Sequence, residues 1–209
     1  MVSIEKLTLR EMMMDVNYHS LSEGLVKLPI PDKIKIGKKY FNVPDTMHKF
    51  SETICYGQKL FLTAKETNDF GVIIRMMDGY YYPIVTGKKW GDDEALAFGS
   101  IVLDGLVVDV YPLATHLVDL LDQMLKRERK LLHREPSKQE KLAGIDKLDK
   151  FSELTSIKYL QESLKKSREE VMLTPYNECL VEFMLAKEQS QFNERLTKVY
   201  QDEAKNKKQ

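Results

Sequence analysis

Thr174–Tyr200 reads TPYNECLVEFMLAKEQSQFNERLTKVY, and it carries the signs of a long helix. Thr174 has a hydroxyl suited to capping a first turn, and Pro175 follows where a missing N–H costs nothing. Tyr176, Cys179, Leu180, Phe183 and Met184 recur at helical spacing. Val181, Leu185, Phe192, Leu196 and Val199 form a second stripe, rotated from the first. Two stripes on one helix call for two packing partners, from the same chain or from another. None of these side chains does covalent chemistry alone.

The remaining 182 positions divide at their turn signals. Residues 1–28 read as an amphipathic helical extension, with Leu7, Leu9, Met12, Met13, Val16 and Leu21 roughly on one face. The run Met12–Met14 admits two readings. Thioethers repack easily and suit a binding surface, whereas a plain amphipathic helix would bury two of the three. Gly24 and Pro29-Ile30-Pro31 end that element. DKIKIGKKYFNV (32–43) alternates as a β-hairpin and stops at Pro44. Because two strands alone are marginal, YYYPIVT (80–86) is expected to supply a third. Helical patterns cover 45–65, 70–77 and about 91–103, with Gly57 expected either to break the first or to admit a close neighbour. From Tyr111 to His133 leucines repeat at three and four, up to the charged end KRERKLLHREP. Glu135–Lys141 reads as an exposed linker, and Leu142–Leu164 as two further helical segments. The expected fold is α+β: mostly α-helical, with a small N-terminal antiparallel β-sheet. The organisation is 1–28, then 29–135 (sheet plus helices), then 136–209 (helical, ending in the long helix).

Composition narrows the function. With 43% hydrophobic residues among 209, the chain can bury a core. Lys plus Arg equals Asp plus Glu at 32 each, which argues against binding nucleic acid or anionic membranes through a broad basic surface. Zero net charge also leaves little electrostatic barrier to homo-oligomer formation. Cys55 and Cys179 are far apart in apolar company, as in a reducing cytoplasm rather than a disulfide framework. No uncharged apolar run approaches the ~20 residues of a membrane span, and the N-terminus lacks a leader pattern. The motifs of zinc proteases, nucleotide-binding loops, redox pairs and serine hydrolases are missing, so no catalytic, metal or cofactor residue is nominated. His48 and Cys55 form an imaginable dyad; a small buried thiol is the competing reading. The expectation is a protein that is not an enzyme and requires no cofactor.

Three stretches carry a family resemblance. The first is KIKIGKKYFNVP followed by Phe50, Ile54 and Tyr56-Gly57-Gln58. The second is the tyrosine-rich segment before Trp90-Gly91-Asp92-Asp93-Glu94 and the leucine-rich helix. The third is AGIDKLDKF…LQESLKKSREEVMLTPYNECLVEFMLAKEQSQFNERL. Together, over most of 33–200, they resemble tail assembly chaperone-like proteins of tailed phages with Bacteroidetes-type hosts. Thr174 stands where a leucine is more usual, and residues 1–28 fall outside the resemblance. It implies a non-enzymatic assembly protein that binds a viral tail or neck polypeptide, such as the tape-measure protein. The alternative is a permanent virion subunit in a ring, connector or tail. Its place would be the host cytoplasm or the virion. The candidate partner-binding residues are Met12, Met13, Tyr176, Leu180, Phe183 and Phe192, from the methionine-rich N-terminal helix and the doubly striped closing helix.

Overall fold

The computed structural model describes residues 3–14, 21–36, 38–44, 49–66 and 68–206, apart from the side chains of Asp92 and Asp149. It is 74% helical with one two-stranded antiparallel sheet, which makes it a mostly α-helical α+β fold. Two compact units divide it: Met1–Leu125 with Met172–Tyr176, and Lys126–Val171 with Asn177–Gln209. The expected boundary at Pro136 falls inside the second unit, and the long leucine-rich helix carries the chain from the first unit into it.

In the first unit, β1 (Lys33–Ile36) pairs with β2 (Lys39–Asn42), with Ile34 opposite Phe41 and Lys35 opposite Tyr40. Ile34 and Ile36 are buried on one face, as their alternation requires. Residues 80–86 are not the third strand. Isolated bridges join Ile36 to Gly105 and Thr8 to Leu106. Leu9 N–H donates to Gly105 C=O at 2.9 Å, and Val107 N–H to Leu7 C=O at 2.9 Å. Gly105 permits this approach, because a Cβ there would lie 3.0 Å from Val102 C=O and 2.6 Å from a Val110 methyl.

The tyrosine triplet is instead helical. A short helix, α1 (Leu9–Met14), precedes the hairpin; α2 (Tyr56–Thr63) and α3 (Asp69–Met76) follow it. Backbone φ/ψ then stays helical through a π-turn, Met77–Tyr81, into α4 (Tyr82–Thr86). Pro83 lies in the first turn of α4, where a proline is tolerated; inside a strand it would have removed a ladder donor. Tyr80, Tyr81 and Tyr82 are all buried. Successive helical residues point about 100° apart, so these three line a segment enclosed on several sides. Tyr80 packs on Phe50 with ring centres 5.2 Å apart, and Tyr82 meets Phe98 edge-on at 6.0 Å. The expected helical stretch does fall into two pieces, Phe50–Thr53 and Tyr56–Thr63, but the break is at Ile54-Cys55. Gly57 is the close-approach glycine, where a Cβ would come within 2.4 Å of the Trp90 ring.

Helix α5 (Asp92–Val102) agrees with its sequence pattern, and α6 (Val107–Leu132) begins one turn before the expected start at Tyr111. Pro112 is thus inside α6, at the cost of one backbone donor. In the second unit, the expected linker carries α7 (Lys138–Leu142). Ser137 and Glu140 cap it reciprocally at 2.7 and 3.2 Å, and Arg134 bonds to both Glu140 and Glu194. A 3-10 segment (Ile145–Phe151) leads to α8 (Ser152–Leu164), which Lys165 closes in the left-handed conformation. Then come α9 (Arg168–Met172) and α10 (Tyr176–Asn206). α10 starts one residue later than expected, because Pro175 is drawn into an isolated bridge with Cys55. Thr174 C=O accepts from Tyr56 N–H at 2.8 Å, and Tyr176 N–H donates to Ile54 C=O at 3.0 Å.

Candidate interaction surface

The two stripes of α10 differ in burial: the first is buried at its start and ends on Met184, 36% exposed, while the second faces solvent over most of its length. Tyr176, Cys179 and Leu180 are buried. Phe183 is half-buried, its ring stacked on Tyr159 at 5.8 Å, and the Tyr159 hydroxyl donates to Glu182 C=O at 3.1 Å. The second stripe meets solvent: Val181 is 61% exposed, Leu185 50%, Phe192 56% and Val199 51%. At about 100° per residue these four fall within an arc of about 40° and extend about 27 Å along the helix. Leu196, at the edge of this arc, is half-buried. Before α10, Leu142, Leu148, Phe151 and Leu154 of the same unit are exposed too. The α10 stripe, a continuous row of large apolar side chains facing water, is the candidate interaction surface.

The six nominated residues separate accordingly. Met12, Tyr176 and Leu180 are core, so they fill the chain's own interior and present nothing to a partner. Met13 and Phe192 are exposed, and Phe183 presents one part of its ring. Of the methionine run only Met12 faces inward; Met13 and Met14 face outward. The leucines of 142–154 carried the right chemistry in the sequence, but helical spacing read them as buried. Leu148 lies in the 3-10 segment 145–151, whose residue period is about 3 rather than 3.6, so α-helical spacing does not place it; Leu142 and Leu154 lie in the flanking α-helices.

The chemistry-bearing groups of the first unit are packed, not assembled. Cys55 is buried at the N-cap of α2; its amide donates to Gln58 Oε1 at 2.9 Å, and Gln58 Nε2 donates to Gly79 C=O at 2.8 Å. His48, the other half of the imagined dyad, lies outside the described residues. A cleft of about 300 Å³ is lined by Cys55, Lys88, Lys89 and Trp90 among others. The Trp90 indole N–H finds no acceptor among the described residues. In the π-turn, Asp78 is 2% exposed, and its Oδ1 has no hydrogen-bond partner among the described residues. Burial pushes its carboxyl up to about 8, against a partial pull from the Arg75 guanidinium. Arg75 is itself held by Glu66 and by Phe61 C=O. Sequence reading missed Asp78, although an acid between Met76-Met77 and Gly79-Tyr80 was the available signal.

Among the described residues no group of histidine, cysteine and acid side chains is placed to hold a metal ion, and no helix is long and apolar enough to cross a membrane. No protein-family model, no curated protein and no solved structure matches the chain.

Proposed function

We propose that this chain is a non-enzymatic phage assembly protein, tail assembly chaperone-like, which binds a viral tail polypeptide such as the tape-measure protein. The observation that carries the reading is the exposed apolar side chains of the second unit before α10, Leu148, Phe151 and Leu154. Each such side chain, now about half exposed, gains roughly 1 kcal/mol when a partner covers it. A helical client offering its own apolar face is the natural complement, since helix-in-groove recognition reads anchors at three- and four-residue spacing. The phage context comes from the resemblance of residues 33–200, and the site of action is accordingly the cytoplasm of the infected host.

Mass spectrometry of purified particles, with pull-down from infected-cell lysate, tests this reading. Absence from particles and retention of the tape-measure protein on the tagged chain are the expected results. Many copies per particle would make the chain a permanent ring, connector or tail subunit instead. Retention of no viral protein would remove the assembly reading altogether.

A further inference from the structure

The α10 stripe has a charge pattern that selects one occupant. Glu188 precedes Phe192 by four residues, and Arg195 follows it by three. Both are exposed, and neither is ion-paired within the described residues. Around the helix they lie about 20° apart, on the same edge of the apolar arc. From these positions we infer that a second copy of this chain docks on the stripe, antiparallel, about a two-fold axis close to Phe192. This rests on reading the stripe as an interaction surface, and it leaves Leu148, Phe151 and Leu154 for the viral client.

With Phe192 opposite its own symmetry mate, Leu185 faces Val199 of the second copy, and Val199 faces Leu185. Arg195 of the second copy then comes level with Glu188 to within one residue, about 1.5 Å along the axis. In an antiparallel pair related by such an axis, like edges face each other, so the ion pair forms twice. A parallel pair would set this edge against the partner's opposite edge, where Gln189 and Leu196 stand at those levels, so neither charge would meet an opposite one. The pattern is therefore self-complementary in one orientation only, as a two-fold interface requires. Zero net charge adds no long-range repulsion between copies.

Sedimentation equilibrium of the full chain, up to about 100 μM, reads the association at concentrations suited to a small interface. The expected mass is twice that of the 24.3 kDa chain. Glu188→Arg and Arg195→Glu should each weaken the dimer by several-fold to about tenfold, and the double variant should restore it. Oxidation should cross-link a chain carrying both Leu185→Cys and Val199→Cys. Leu185→Cys alone should stay uncross-linked, because its mate is about 21 Å away along the antiparallel pair, beyond disulfide reach. These are exposed positions, and an unchanged circular dichroism spectrum confirms that each variant is folded. A monomer throughout the range, a dimer without charge-swap rescue, or efficient cross-linking through Leu185→Cys alone would each overturn the pairing. A monomer that still retains the tape-measure protein would overturn the pairing alone. A dimer that retains no viral protein would leave the pairing standing and remove the assembly reading.

Discussion

Asp78→Asn should stabilise the protein at neutral pH and remove most of its pH dependence between 5 and 8. The carboxyl has an ordinary value of 3.8 and is raised to about 8 in the folded chain, chiefly by burial. Below about pH 4 it is protonated in both folded and unfolded chains and contributes no difference. Between 4 and 8 the unfolded chain releases the proton while the folded chain keeps it, so stability falls as pH rises. Above about 8 the loss levels off. At about 1.4 kcal/mol per unit, the gap between 3.8 and neutrality sets a ceiling of about 4 kcal/mol at pH 7. We expect about half of that, since asparagine brings two N–H donors into a site where one carboxyl oxygen already lacks a partner. Urea denaturation at pH 5, 6, 7 and 8 measures it. The window lies above the titration of Glu11, Glu140 and Glu170, whose local hydrogen bonds hold them below the usual carboxylate value. It lies below that of Tyr80, Tyr81 and Tyr111, which burial raises. Wild-type stability that is flat or rising from pH 5 to 8, with Asp78→Asn unchanged from it, would refute the argument.

Three further substitutions test the packing. Gly57→Ala brings a methyl within 2.4 Å of the Trp90 ring and 2.9 Å of Met172 C=O, and should cost about 2 kcal/mol or more, seen as a lower urea midpoint. Lys165→Gly relieves a left-handed φ of 56° at the end of α8 and should raise the melting temperature by a few degrees, for a gain of about 0.5–1 kcal/mol. Phe183→Ala removes a half-buried ring stacked on Tyr159 and should cost about 1–3 kcal/mol, less than truncating a fully buried phenylalanine. A double-mutant cycle with Tyr159→Ala should assign about 1 kcal/mol of that to the ring pair; additive effects would show that the stack contributes nothing.

The sequence by itself determined the elements whose signals are local. Alternating Ile34 and Ile36 specified the hairpin, and leucine spacing specified α6. The double stripe of α10 identified both of its faces, because a helix's period is set by its own backbone. Tertiary structure decided what those faces meet. It buried Tyr176, Cys179 and Leu180 while leaving Val181, Leu185, Phe192 and Val199 in water, although the two sets have similar hydrophobicity. It turned Tyr80–Thr86 from a plausible strand into helix. β-propensity chiefly expresses how a side chain fits a half-buried pleated surface, whereas Tyr80, Tyr81 and Tyr82 are all buried, on successive sides of a helical segment. The hairpin is joined instead to Gly105 and Leu106, distant in sequence, by backbone groups, which carry no side-chain signature. Asp78 is the extreme case: its position is set by the glycine and aromatic packing around the π-turn, and nothing in its own chemistry asks for burial.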